Sequence, residues 1–232
     1  LKYARRVAEH VGAEYNEFIV RPNALDVIPT LVEHYGEPYA DSSAIPTYYV
    51  AKETRRHVTV ALNGDGGDES FAGYERYAAM LAAERYSKIP GVLRKAFLEY
   101  PIGLYPTSEM KRSRVRDVKR FLKAAVLPRN ERYFRWMSTF DRETKPQLYT
   151  RNFAEALNGT RASDTLDKWF DSANASGLLD AALLTDQMTY LPNDLLVKVD
   201  IATMANSLEA RSPFLDHNLI EFAASLPEGL KM

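Results

Sequence analysis

The 232 residues carry 30 Lys and Arg against 31 Asp and Glu, a formal charge of −1, so no global field draws the chain to nucleic acid or to an acidic membrane. An apolar share of 46% beside 26% charged residues excludes wholesale disorder and supplies material for a real core. The absence of Cys excludes disulfides, thiolate nucleophiles and Cys-ligated zinc together, and the His residues lie scattered, without metal-ligand spacing.

Residues 3–11 read as a helix stopped by Gly12. FIVRP, 18–22, reads as a short strand closed by Pro22. A second helix is expected over 24–35, with Leu25, Ile28, Leu31 and Val32 spaced for one buried face and Gly36 as its stop. The polar loop EPYADSSAI leads to a third helix, PTYYVAKETRRH, whose first turn suits Pro46. VTVAL, 58–62, is nearly all apolar, as a central strand covered on both faces should be, and is expected to run parallel to FIVRP. This alternation implies an α/β fold, a parallel sheet with flanking helices. Further on, the pattern turns helical over 69–87, 91–99, 112–125, 130–140, 164–173, 178–191 and 217–225, with no clear strand. The expected organisation is an α/β part over 1–87 and a mainly helical part over 88–232, with no linker long or polar enough to separate independent domains. The basic stretch Lys111–Lys123 carries Val115, Val118, Phe121 and Leu122 beneath its charges, so it reads as a solvated helix face rather than a nucleic-acid surface.

VTVAL ends in Asn63-Gly64-Asp65-Gly66-Gly67-Asp68-Glu69. Ligands of open parallel sheets bind at the carboxyl ends of the strands. The glycines let a backbone come close to a ligand, and the following helix N-terminus favours an anion. Asp65, Asp68 and Glu69 would repel a bare phosphate, a conflict that a divalent cation between carboxylate and phosphate resolves. The ligand expected is therefore a magnesium nucleotide. The competing reading is a turn that merely caps a helix, with Asp68 as its N-cap. The spacing matches neither the Walker loop nor the dinucleotide fingerprint.

The second informative segment is LPNDLLVKVDIATMANSLEARSPFLDH, 191–217. Lys198 stands among Leu195, Leu196, Val197 and Val199, where an unpaired ammonium is costly. Either it snorkels to the surface or its charge has a partner, which is a phosphate or, in a surface or structural ion pair, Asp194 or Asp200. Glu209, Arg211 and Asp216 read as structural.

Taken together, EPYADSSAIPTYYVAK, ALNGDGGDESFAGYERY and LPNDLLVKVDIATMANSLEARSPFLDHNLIEFAASLP resemble the synthetase domain of glutamine-dependent asparagine synthetases, over nearly the full chain. The resemblance implies an adenine nucleotide alpha-hydrolase-like, ATP-pyrophosphatase fold. It also implies ATP and Mg2+ as cofactors, adenylation of the aspartate side chain, and attack by ammonia from an upstream glutaminase domain. Asn63, Gly64 and Asp65 then line the adenylate, and Asp65 manages the proton of the attacking amine. Asp68 binds magnesium, Lys198 neutralises the departing pyrophosphate, and Ser42 and Ser43 face the nucleotide. Lys198 and Asp68 are expected to point into one cleft. Asn63, Ser70 and Ala72 depart from the family's commoner Ser, aliphatic and Gly, without removing a charge.

The chain opens on Leu1 and is expected to be a piece of a longer protein, truncated at its N-terminus, with the family's Ser-Gly-Gly-x-Asp-Ser loop and glutaminase domain upstream. Aspartate or another carboxylate is the expected substrate. No nucleic acid and no membrane partner are expected, and a homodimer is admitted. The expected location is cytoplasmic. Relatives that amidate other carboxylates or close rings are the alternative. From other classes come a non-catalytic nucleotide-binding module and a helical interaction domain.

Overall fold

The structure, a computed structural model, describes residues 2–21, 23–105, 114–140, 143–172 and 177–232. The chain forms two compact units, Leu1–Asn63 with Leu196–Arg211, and Gly64–Leu195 with Ser212–Met232.

The first unit holds the helices Lys2–Val11, Ala24–Tyr35, Ala44–Thr54 and Leu196–Met204 and a parallel pair of strands, β1 (Val60–Leu62) and β2 (Glu209–Arg211). Val60 lies opposite Glu209, Ala61 opposite Ala210 and Leu62 opposite Arg211. The ladder continues at both ends: Glu209 N–H donates to the Thr59 carbonyl at 3.0 Å and Asn63 N–H to the Arg211 carbonyl at 2.9 Å. The helix Ala24–Tyr35 has the bounds its periodicity predicts, and Gly36, at φ 65°, ends it in the left-handed region. Its buried face differs from the expected one. Of Leu25, Ile28, Leu31 and Val32, Leu31 alone is buried; Val27 joins it against Ala44, with Tyr35, Tyr39, Ile45, Tyr48 and Tyr49 around them. The helix is apolar on more than one side, and this tyrosine-rich neighbour selects two residues one turn apart.

Two strand expectations are corrected. Residues 18–21 form no strand, and Ile19 is largely exposed; Pro22 lies outside the described residues. VTVAL pairs with Glu209–Arg211 instead, and it is not covered on both faces, since Val60 is 40% and Leu62 73% exposed. The physical reason is that an apolar β-branched run states a preference for extension, not the identity of its neighbour. That neighbour, Glu-Ala-Arg, has no composition that marks a strand, so β2 escapes a reading that finds only helices beyond residue 70.

In the second unit the helix expected over 69–87 is two, Gly67–Phe71 and Glu75–Ser87, because Ala72 adopts φ 58° between them. Helices Arg129–Met137, Ser163–Ser172 and Leu178–Met188 complete the core around Tyr77, Met80, Tyr133, Leu179 and Ala182, all buried. The helix Arg114–Ala125 lays Phe121 and Leu122 against Ala83, Tyr86 and Ala125 and leaves Val118 exposed; residues 111–113 of the basic stretch lie outside the described residues. Among the described residues no helix is long and apolar enough to cross a membrane.

Candidate functional site

In the first unit the helix Leu196–Met204 buries Ala202 and Thr203, and Lys198 is left with an apolar stem and a charge to place. Its Nζ donates to Asp41 Oδ2 at 2.8 Å, with only 12% of the Lys198 side chain and 21% of the Asp41 side chain exposed. Ser43 also holds Asp41, its N–H donating to Oδ1 and its hydroxyl to Oδ2, each at 2.8 Å. Burial works to raise the Asp41 pKa, but these hydrogen bonds and the Lys198 charge outweigh it, so the carboxyl lies below its ordinary range. The Tyr35 hydroxyl donates to the Lys198 carbonyl at 3.3 Å.

The Lys198 partner is thus neither Asp194 nor Asp200, but a residue 157 positions away. The sequence offers Asp194 and Asp200 within one helical turn and does not mark Asp41 as the partner. The available signal was Asp-Ser-Ser in a polar loop, a pattern that favours a carboxylate bonded to the backbone two residues on. Ser43 is therefore joined to Lys198 through Asp41. Ser42 is exposed and lines, with Leu31, Tyr35, Tyr39, Asp41 and Ala44, a cavity of about 260 Å³. Asn63 is half-buried at the end of β1.

In the second unit Gly64 to Gly67 make a tight turn, with Gly67 N–H donating to the Gly64 carbonyl at 3.2 Å. Gly66 has φ 86°, and a Cβ there would come within 2.5 Å of Leu215 Cδ2. The position favours glycine for its conformation, and a Cβ there would also push the end of the Leu215 side chain aside. Gly66 stands at the cap position, so Asp68 is the second residue of the helix and not its N-cap. Its carboxylate is exposed and lies over Gly73, where any Cβ would overlap Asp68 Oδ1. Asp65 is half-buried, and its carbonyl accepts from the Ser212 hydroxyl. Phe214 meets Phe71 edge-on. The segment from Ser212 to Leu215 therefore backs the glycine turn.

Of the two partners the sequence offers Arg211, Glu209 and Asp216, the structure pairs it with Glu209. Arg211 Nε donates to Glu209 at 2.7 Å. Asp216 caps the helix His217–Ser225, accepting from the N–H groups of Asn218 and Leu219 at 2.9 and 3.3 Å.

Among the described residues no group of three or more His, Asp or Glu is placed to hold a metal by itself. Mg2+ bound with phosphates needs only one or two carboxylates. Asp68, exposed on the helix Gly67–Phe71, is a carboxylate of the kind such a site uses.

The chain belongs to the asparagine synthase family, whose profile matches residues 1–232. Asparagine synthetase [glutamine-hydrolyzing] 1 of Bacillus subtilis is 32% identical over 232 residues, covering 98% of this chain and 34% of the relative. A Mycobacterium tuberculosis (H37Rv) protein, named provisionally as a glutamine-hydrolyzing asparagine synthetase, is 33% identical over 99% of the chain and 32% of its own length. Amidase chyE of Penicillium rubens is 23% identical over 99% of the chain and 35% of its own length. The chain spans about a third of the length of these curated relatives.

Proposed function

We propose that the chain is the nucleotide- and acceptor-handling part of an ATP-dependent amide-forming synthetase, converting aspartate to asparagine with glutamine-derived ammonia. The observation that carries this reading is membership of the family over the whole chain, with the glycine turn and Lys198 both present. A carboxylate is a poor electrophile. Its oxygen attacks the α-phosphorus of ATP, the bond to the bridging oxygen breaks, and pyrophosphate departs. Ammonia then attacks the acyl carbon of the β-aspartyl-adenylate, AMP departs, and the nitrogen loses a proton.

In this reading Lys198 meets the charge that grows on pyrophosphate in the first step, exchanging Asp41 for phosphate oxygen. Asp65 takes the proton of the attacking amine. Ser42, Ser43, Asn63 and Gly64 hold and orient the nucleotide. Asp68 would hold Mg2+, which when bound neutralises phosphate charge. The glutaminase domain that supplies ammonia belongs to the longer protein. The likeness to a relative named an amidase favours one second reading, amide chemistry on a substrate other than aspartate.

The test separates the half-reactions in the full-length protein. Asp65→Asn should still exchange pyrophosphate into ATP but form amide about 10²–10⁴-fold more slowly. Asp68→Asn should weaken exchange itself and raise the Mg2+ it requires. If Asp65→Asn abolishes exchange while Asp68→Asn spares it, the two roles are reversed.

A further inference from the structure

A buried charge network stands behind the glycine turn in the second unit. Asp186, on the helix Leu178–Met188, has no exposed surface. Its Oδ2 accepts from Arg76 Nη2 at 2.7 Å, from Arg76 Nε at 3.2 Å and from the Tyr77 hydroxyl; its Oδ1 accepts from the Tyr133 hydroxyl. Burial works against the Arg76 charge, and Asp186 more than restores it. The guanidinium carbon also lies 3.8 Å from the Tyr74 ring centroid and 5.0 Å from that of Tyr190. The Tyr74 hydroxyl donates to Glu69 Oε1 at 2.5 Å, and Gln187 Nε2 donates to the Glu69 carbonyl at 3.1 Å. Glu69 is buried, and it directly follows the exposed Asp68. Its side chain and its main chain are both gripped by groups anchored on or beside Asp186.

Stability alone does not call for such a cluster. A buried ion pair is commonly no more stabilising than well-packed apolar residues of the same volume. Apolar packing would lack direction, however. A guanidinium plate fixed by two hydrogen bonds sets the plane of the Tyr74 ring, and the hydroxyl of that ring sets the Glu69 carboxyl. The first turn of Gly67–Phe71 is thereby fixed from behind, on the residue next to the one that faces outward. A carboxylate that must meet a cation and phosphates at defined geometry needs support of this kind.

We propose that Arg76, held by Asp186, is a positioning residue for Asp68, acting through Tyr74 and Glu69. The proposal rests on the reading of Asp68 as the magnesium-facing carboxylate. It adds residues from two other helices to the reaction.

The experiment uses the full-length protein and the variants Arg76→Lys, Tyr74→Phe and Tyr133→Phe. The last removes a hydrogen bond from the same Asp186, at the oxygen that Arg76 does not use, and serves as the control for a purely structural effect. Three quantities are measured: the Mg2+ concentration for half-maximal ATP–pyrophosphate exchange, the calorimetric affinity for ATP with and without Mg2+, and the thermal midpoint. Arg76→Lys and Tyr74→Phe should raise the Mg2+ requirement about 10-fold and weaken ATP binding only when Mg2+ is present. Tyr133→Phe should lower the midpoint and leave the Mg2+ requirement within about twofold. If Arg76→Lys does not fold, Tyr74→Phe carries the test, because it deletes one oxygen and keeps the ring. An unchanged Mg2+ requirement in Tyr74→Phe overturns the proposal, as does a shift in all three variants that follows their loss of stability. Wild-type protein that binds Mg2+–ATP without exchanging pyrophosphate would contradict the proposed reaction alone, and the calorimetric comparison would still decide the positioning role. Wild-type protein that binds ATP equally with and without Mg2+ would overturn both.

Discussion

Asp41 in the first unit and Asp186 in the second each neutralise one cation, but in different surroundings. Asp41 faces a single ammonium and the two donors of Ser43, and about a fifth of its side chain is exposed. Asp186 faces a guanidinium and two phenols, and none of it is exposed. An ion pair with partial access to solvent can trade one anion for another, because the lysine is never left in a dry site without a partner. A carboxylate with no exposed surface cannot, since losing its cation strands a buried charge, although Arg76 itself keeps 18% of its side chain exposed. The difference suits the two pairs to different tasks, one to a charge that must meet a ligand and one to a frame that must not move.

The largest effect expected from breaking this contrast is on the enclosed side. Asp186→Ala leaves Arg76 without its counter-charge and should cost about 3–5 kcal/mol, read from urea unfolding of the full-length protein. A loss below about 1 kcal/mol would mean that the partly exposed guanidinium replaces Asp186 with water.

Next in size is the turn itself. Gly66→Ala places a Cβ at positive φ and against Leu215, and should cost about 1–2 kcal/mol in the same measurement. A neutral result would show that the turn is free to flip and that Leu215 does not back it.

The smallest effect belongs to the accessible pair. Asp41→Ala should cost about 1 kcal/mol near neutral pH. Its pH dependence sharpens the comparison. The Asp41 pKa is lowered from 3.8, so the unfolded chain takes up the proton first as pH falls. The contribution of the pair is complete above that ordinary value and disappears as pH drops through the lowered one. The stability gap between wild type and Asp41→Ala should therefore close on acidification below about pH 4. A gap that persists there would mean that lost packing, not lost charge, explains the variant.

The parts of the molecule that were legible in the sequence are those set by local rules. The helix Ala24–Tyr35 announces itself by spacing and by Gly36, and the helix His217–Ser225 has the bounds its pattern predicts. What failed depended on distant partners. FIVRP has strand composition yet extends beside no neighbour among the described residues, whereas Glu-Ala-Arg lacks that composition and pairs because β1 offers it an edge. Lys198 stands out because its apolar flanks make a bare charge costly, but Asp41 becomes its partner only because the loop folds over that helix. Arg76 and Asp186 were invisible for the same reason. Each is an ordinary charged residue in a helical pattern, and only the fold brings them together, 110 positions apart.

The most direct measurement is ATP–pyrophosphate exchange in full-length Lys198→Ala against wild type, with Asp41→Ala beside it. If Lys198 serves the pyrophosphate and Asp41 only holds it in readiness, Lys198→Ala should slow exchange about 10²–10³-fold, and Asp41→Ala should slow it far less. An unchanged rate in Lys198→Ala, with stability lost as in Asp41→Ala, would contradict the account and leave the pair a structural tie.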